Sequence, residues 1–191
     1  MPFQEFPGIL QWFIDSPEHR VELTSHAVWT ADGCLIFDPI PCPSGMALPE
    51  KGPTRIVLTN ENHERAAAAW RQASGVAGGE IWASPEAGLE LRDVRRWSAI
   101  HDDWPGWIRV PLPGGPAGET AFHNPARSLV VFGDAVVNLT GRGLEILPDK
   151  YCQDAEMLRT SLRRLPAFDR ALFAHGAPVW EDAGARIAAL L

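Results

Sequence analysis

Ile56-Val57-Leu58-Thr59-Asn60-Glu61-Asn62-His63-Glu64-Arg65 is the stretch that decides how this chain folds. An apolar, β-rich run stops abruptly at polar residues, and a helix begins at once. The unbroken apolar character of Arg55 to Thr59 suits a strand buried on both faces. The spacing then predicts a helix from Asn62 to Ser74, with Ala66, Ala69, Trp70 and Ala73 forming one buried stripe. Glu61 and Glu64 stand at the positive end of that helix, Asn60 or Asn62 can cap it, and Gly75 can stop it.

Working outward, Gly8 to Ile14, Val21 to Trp29 and Cys34 to Phe37 read as strands, the last ended by Asp38-Pro39-Ile40-Pro41. Pro43 to Pro53 is a loop by composition. Downstream come a strand at Glu80 to Ala83, a helix at Pro85 to Leu91 and a strand at Trp107 to Val110. The tight loop Pro113 to Gly118 delivers Glu119 onto the strand Thr120 to His123. Ser128 to Phe132 is an apolar strand ended by Gly133-Asp134, and a helix is expected over Gln153 to Leu165. Arg170 to Ala174 is the last strand, ending at His175-Gly176 before a closing helix from Trp180 to Leu191. Strands first, then strands alternating with helices, suit two mixed sheets with helices on their outer faces, an α/β (α+β) architecture. Neither a repeat nor a linker divides the chain, so residues 1–191 are expected to form a single domain.

Four places, in order, resemble the metallo-β-lactamase superfamily. They are Leu35-Ile36-Phe37-Asp38-Pro39, Leu58 to Arg65, Leu129-Val130-Val131-Phe132-Gly133-Asp134, and Phe173-Ala174-His175-Gly176. The resemblance implies a four-layer αββα sandwich. It also implies that Leu58 to Arg65 is an altered form of the family's His-x-His-x-Asp-His metal motif. Asn60, Asn62 and Arg65 stand where the three histidines would be, and Glu64 where the aspartate would be. Glu119 falls on the position of a later histidine, while Asp134 and His175 match the bridging aspartate and the last histidine.

That substitution pattern implies a degenerate metal site. A zinc site wants three or four nitrogen or sulfur donors, and the matched positions supply one imidazole, so a standard dizinc centre is not expected. Arg65 would bring a guanidinium to a place meant for a cation and is expected to bridge Glu119 or Asp134. Two function classes follow. In the first, the protein needs no cofactor and its pocket binds a small molecule or another protein. In the second, it hydrolyses an ester, lactone, amide or phosphoester. Asn60, Asn62, Glu64, Glu119 and Asp134 are oxygen donors, which suit Mg²⁺, Mn²⁺ or Ca²⁺. Glu64, Glu119, Asp134 and His175 would then hold a hard or single ion, Mg, Mn or Zn.

The remaining candidates have blander expectations. Alternation across the motif points His63 away from the pocket, into a capping or surface role. His26 reads as a hydrogen-bonded structural residue, and His101, beside Asp102 and Asp103, as part of a solvated loop. His123 follows Glu119 by four on a strand, sharing its face at the pocket rim. No Gly-x-Ser-x-Gly elbow or phosphate loop is present, and Cys152 reads as a buried structural thiol. Trp97, Trp104 and Trp107 cluster among glycine and proline, as if to wall a cleft or an interface.

Composition limits the partners. A net charge of −7 over 191 residues argues against nucleic acid and an anionic membrane surface. No stretch approaches a membrane span and no secretory signal is visible. Three cysteines without Cys-x-x-Cys spacing read as free thiols, which places the chain in the cytoplasm. A small-molecule ligand and a homodimer stay open as partners.

Overall fold

The computed structural model describes residues 3–17, 21–31, 33–44, 54–72, 79–98, 104 and 106–191. Its first sheet runs in chain order: β1 Phe3–Phe6, β2 Ile9–Ser16, β3 Val21–Trp29, β4 Cys34–Phe37, β5 Thr54–Leu58, β6 Glu80–Ala83 and β7 Arg95–Arg96. Pairing is antiparallel from β1 to β4 and parallel from β4 to β7. The second sheet begins with β8 Ile108–Pro111, β9 Thr120–Asn124 and β10 Leu129–Phe132, all antiparallel. A hairpin of β11 Val136–Leu139 and β12 Gly143–Ile146 follows, and β13 Arg170–Phe173 then returns to lie parallel beside β10. Three α-helices lie among the described residues: α1 Ala67–Gln72, α2 Ala155–Arg163 and α3 Ala183–Ala188.

Side-chain alternation sorts the core into three layers. On β4, Leu35 and Phe37 face one cluster while Cys34 and Ile36 face another; on β10, Leu129 and Val131 separate from Val130 and Phe132 in the same way. Leu35, Phe37, Val57, Phe122, Val131 and Leu172 meet between the two sheets. Ile36, Ile56, Leu58, Ala67 and Trp70 form the layer under α1, and Val130, Phe132, Leu158, Leu162 and Ile187 the layer under α2 and α3. The apolar runs read as strands buried on both faces are therefore the walls of an αββα sandwich, two mixed sheets with helices outside.

Trp97, Trp104 and Trp107 do not wall a cleft. They are buried between the sheets, where Trp97 and Trp104 meet edge to face at 5.8 Å and both pack on Phe122. The helix expected over Asn62 to Ser74 divides into a 3₁₀ turn at Glu61–His63 and the shorter α1, whose buried residues are Ala67 and Trp70. Ala69 is exposed, and Ala73 lies outside the described residues. Pro85 to Leu91 is a turn followed by irregular chain and not a helix. The short strands β1, β7, β11 and β12 were not anticipated; β7 is only two residues long, below what periodicity can register. Most of the Pro43–Pro53 loop and His101 lie outside the described residues.

The sheets are also joined by polar contacts where β3 meets the end of β13. Thr24 N donates to Ala174 O at 2.9 Å, and Gly176 N donates to Thr24 Oγ1 at 3.1 Å. Gly176 has φ 94°, and a Cβ there would lie 1.8 Å from Asn138 O, so only glycine lets the β11 strand close on this turn.

Candidate metal centre between the sheet ends

Five chain segments end at one place. They are Asp38 after β4, Thr59 to Arg65 after β5, Glu119 before β9, Gly133-Asp134 after β10, and Ala174-His175 after β13. Parallel strands present their C-terminal ends on the same side, so the β4–β5 and β10–β13 pairs bring polar loop residues together. Gly133 lets β10 close in: a Cβ there would sit 2.4 Å from Thr59 Oγ1 and 2.9 Å from Glu119 Oε1.

Asp134 is the centre of the cluster. Its Oδ2 accepts from Asn60 Nδ2 and from Asn62 Nδ2, each at 3.1 Å. Asn60 Nδ2 also donates to Glu119 Oε2 at 2.6 Å, and Asn60 Oδ1 accepts from Asn62 N at 2.8 Å, capping the 3₁₀ turn. Glu119 Oε1 accepts from Ala135 N at 3.0 Å. Burial, aided by the charge of Asp134, pushes Glu119 up to about 8.

The other oxygen of Asp134 faces two imidazoles. Its Oδ1 lies 3.0 Å from His63 Nε2 and 3.1 Å from His175 Nε2. His63 Nδ1 is held by Asp38 Oδ2 at 3.0 Å and Thr59 Oγ1 at 2.8 Å. Thr59 in turn donates from its N and its Oγ1 to the two oxygens of Asp38, each at 2.8 Å. His175 Nδ1 faces Glu22 O at 3.1 Å. A carbonyl only accepts, so His175 Nδ1 carries a hydrogen, and the Asp38 carboxylate imposes the same on His63 Nδ1. Both Nε2 lone pairs are then left pointing at a carboxylate oxygen.

Such a convergence of lone pairs favours a positive charge or a donated N–H. In the metal-free protein a proton meets that need at His63. Burial and the charge of Arg65 oppose its protonation, but Asp38 and Asp134 on either side push it up to about 9. His175 moves the other way, lowered by burial, with Arg65 and His63 adding to the effect against the pull of Asp134. Asp134 is held well below the usual carboxylate range by His63 and His175, against the cost of its burial.

Several expectations are corrected here. His63 does not point outward: it is 2 % exposed and bonded to Asp134, because Glu61–His63 is a 3₁₀ turn where strand alternation does not apply. Glu64 does not enter the pocket, since its Oε1 accepts from Glu90 N and from Leu91 N at 3.1 Å. Arg65 makes no hydrogen bond to a carboxylate among the described residues. Its Nη1 donates to Thr24 O at 3.0 Å and Asp38 O at 3.2 Å, and its Nη2 to Ala174 O at 3.4 Å and His175 Nε2 at 3.3 Å. His123 is not at the rim: it is buried, with both ring nitrogens unpartnered, opposite Val130 of the outer core. His26 is buried and bonded to Gln11 Oε1 at 3.3 Å. Asn60, Asn62, Glu119, Asp134 and His175 do come together, with His63 as the member that sequence reasoning missed.

The cluster divides into two halves with respect to a metal. Asn60 and Asn62 turn amide N–H groups towards Asp134 and Glu119, and Glu64 bonds elsewhere, so the expected oxygen-donor cage does not form. The half made by His63, Asp134 and His175 could hold one ion, since one ligand atom from each lies within 4.8 Å of the other two. Both imidazoles donate their remote N–H to an oxygen, the arrangement that orients and strengthens histidine ligands.

No family model matches the sequence, and no curated protein matches it either. Solved structures do match the fold. The chain is similar to the metallo-β-lactamase FIM-1 from Pseudomonas aeruginosa in its mono-zinc form, with TM-score 0.72 and 15 % identity over 99 % of this chain and 93 % of that one. A metallo-β-lactamase from Pontibacter korlensis superposes with TM-score 0.72 at 14 % identity, covering 99 % and 97 % of the two chains. TTHA1623, solved in a di-iron-bound form, gives TM-score 0.63 at 22 % identity over 100 % of both chains. The chain has the metallo-β-lactamase fold, in a form far diverged in sequence.

Proposed function

We propose that this protein is a hydrolase that uses one divalent metal ion, held by His63 Nε2, Asp134 Oδ1 and His175 Nε2. The observation that carries this reading is the convergence of two oriented imidazoles and a carboxylate on one point. Two nitrogens and one oxygen suit Zn²⁺ or Fe²⁺ better than Mg²⁺. Similar solved proteins in mono-zinc and di-iron forms give the reading further support.

An ion bound there supplies a water that is nucleophilic near neutral pH and a Lewis acid for a carbonyl or phosphoryl oxygen. The chain's own residues do the rest. Asn60 and Asn62 fix the carboxylate of Asp134 through Oδ2, leaving Oδ1 to face the two imidazoles. Asp38 and Glu22 O hold the histidines in their Nδ1–H tautomers. A cleft of about 400 Å³ lined by Asp15, Val21, Glu22, Leu139 and Arg142 includes Glu22, whose carbonyl faces His175 Nδ1, but none of the three ligand residues lines it. Esters, lactones, amides and phosphoesters are the substrate classes.

A second reading is a metal-free pocket that binds a small molecule or a protein. It is favoured by the guanidinium of Arg65 against His175 Nε2 and by the proton that His63 accepts in place of a metal. Metal analysis separates the two. The chain is purified without chelator and loaded in turn with Zn²⁺, Fe²⁺, Mn²⁺ and Mg²⁺, alongside His63→Ala and His175→Ala. One equivalent of metal in the native chain, lost in both variants, supports the hydrolase and directs a screen over the four substrate classes. No metal under any loading condition removes it in favour of the binding protein.

A further inference from the structure

We propose that Arg65 is a built-in competitor of the metal, which makes this a weak and exchangeable single-ion site. The inference rests on the metal reading above and concerns how tightly the ion is held. Arg65 stands half-buried between the two sheets, and among the described residues its terminal nitrogens meet four acceptors: Thr24 O, Asp38 O, Ala174 O and His175 Nε2. Three of these are backbone carbonyls at strand ends. The fourth is the only ligand lone pair the guanidinium touches.

Its placement is enforced by the chain. Arg65 has φ 35°, a left-handed conformation that costs a side-chain-bearing residue energy and persists only where the surroundings impose it. That single residue reverses the direction of the chain, so Glu64 goes outward to Glu90 N and Leu91 N and Arg65 goes inward. Ala66 N bonds Pro39 O at 2.8 Å immediately after, fixing the far side of the turn. Both Nη1 contacts run to carbonyls independent of the metal ligands, so the cation stays beside the site whatever occupies it.

The competition then follows from valence and charge. His175 Nε2 has one lone pair. When an ion takes it, the Arg65 N–H now 3.3 Å away loses its acceptor and faces a like charge. The ion must displace that contact and tolerate the guanidinium nearby, whereas a neutral side chain would impose neither cost. Arg65 thus trades affinity for the carbonyl links that join β3, β4 and β13.

Zn²⁺ affinity decides the matter, measured on the full chain by competition with a chromophoric chelator and by calorimetry for the native protein and Arg65→Gln. Circular dichroism reports folding. The expected result is binding at least tenfold tighter in folded Arg65→Gln, with lower thermal stability of the metal-free form as the carbonyl links are lost. If Arg65→Gln does not fold, Arg65→Lys takes its place. One ammonium bound at the Thr24 and Asp38 carbonyls cannot also span to His175, so affinity should again rise, by less. Equal or weaker affinity in the folded variant overturns the proposal while leaving the metal site standing. Absence of Zn²⁺ from the native chain and from both variants overturns the metal site and this proposal together. Binding that appears only in the variant supports it in its strongest form.

Discussion

His63 Nε2 and Asp134 Oδ1 lie 3.0 Å apart, the first on a 3₁₀ turn after β5 and the second at the end of β10. This contact joins the first sheet to the second at the point where the polar groups converge. The neighbouring Glu64 takes no part in it, its side chain turned to Glu90 N and Leu91 N.

The two neighbours should therefore behave differently. Substituting His63→Ala should weaken Zn²⁺ binding by more than about 100-fold, beyond the roughly 10- to 100-fold typical of residues that support a ligand. Glu64→Gln should leave affinity within about threefold, because it removes only loop contacts with Glu90 and Leu91. Calorimetric titration of the two variants checks this, and equal losses would show that the site is not organised around His63.

Asp38 supports both fold and ligand. It accepts two hydrogen bonds from Thr59 and one from His63 Nδ1, all inside the protein. Asp38→Asn should destabilise the metal-free chain by about 3 kcal/mol in denaturant unfolding, as expected when a buried charge pair loses one member. The same variant should weaken Zn²⁺ binding by about 10- to 100-fold.

Gly133 gives a steric prediction. Gly133→Ala would bring a methyl group to 2.4 Å from Thr59 Oγ1 and 2.9 Å from Glu119 Oε1. The cost should be about 1–3 kcal/mol by chemical denaturation, with Thr59 and the β10 end forced apart. A melting curve unchanged from the native chain would contradict this close approach.

His26 sets the acid side of the stability profile. Burial is the main force lowering it from 6.5 to about 3, with Asp38 opposing and Arg65 assisting. The unfolded chain takes up a proton at this residue below pH 6.5 while the folded chain does not. Its contribution to stability is therefore complete above pH 6.5 and is lost as pH falls from 6.5 towards 3, about tenfold in the folding constant per pH unit. Replacing His26 by Asn should reduce the measured slope between pH 6 and pH 4 by about one proton.

Much of the architecture was legible because apolar runs such as Cys34–Phe37, Leu129–Phe132 and Arg170–Phe173 are strands buried on both faces. Asp134 and His175 came from the resemblance of the strand ends that carry them, and they lie together one residue beyond Gly133 and Ala174. His63 was not legible, because its orientation depends on Asn60 capping a 3₁₀ turn and on Arg65 at φ 35°, neither of which leaves a periodic signature. Arg65 was expected beside Glu119 or Asp134, whereas three backbone carbonyls and His175 Nε2 take its N–H groups. The aromatic residues near glycine and proline looked like a surface feature, yet the sandwich needs large rings to fill the gap between its sheets.

The left-handed residue at Arg65 decides which side chain reaches the site. On its N-terminal side Glu64 leaves for the loop at Glu90 and Leu91, and at Arg65 itself the guanidinium arrives beside His175, with every strand left in place. Spacing rules written along the chain discard such a centre, whereas the strand ends that surround it still mark the spot.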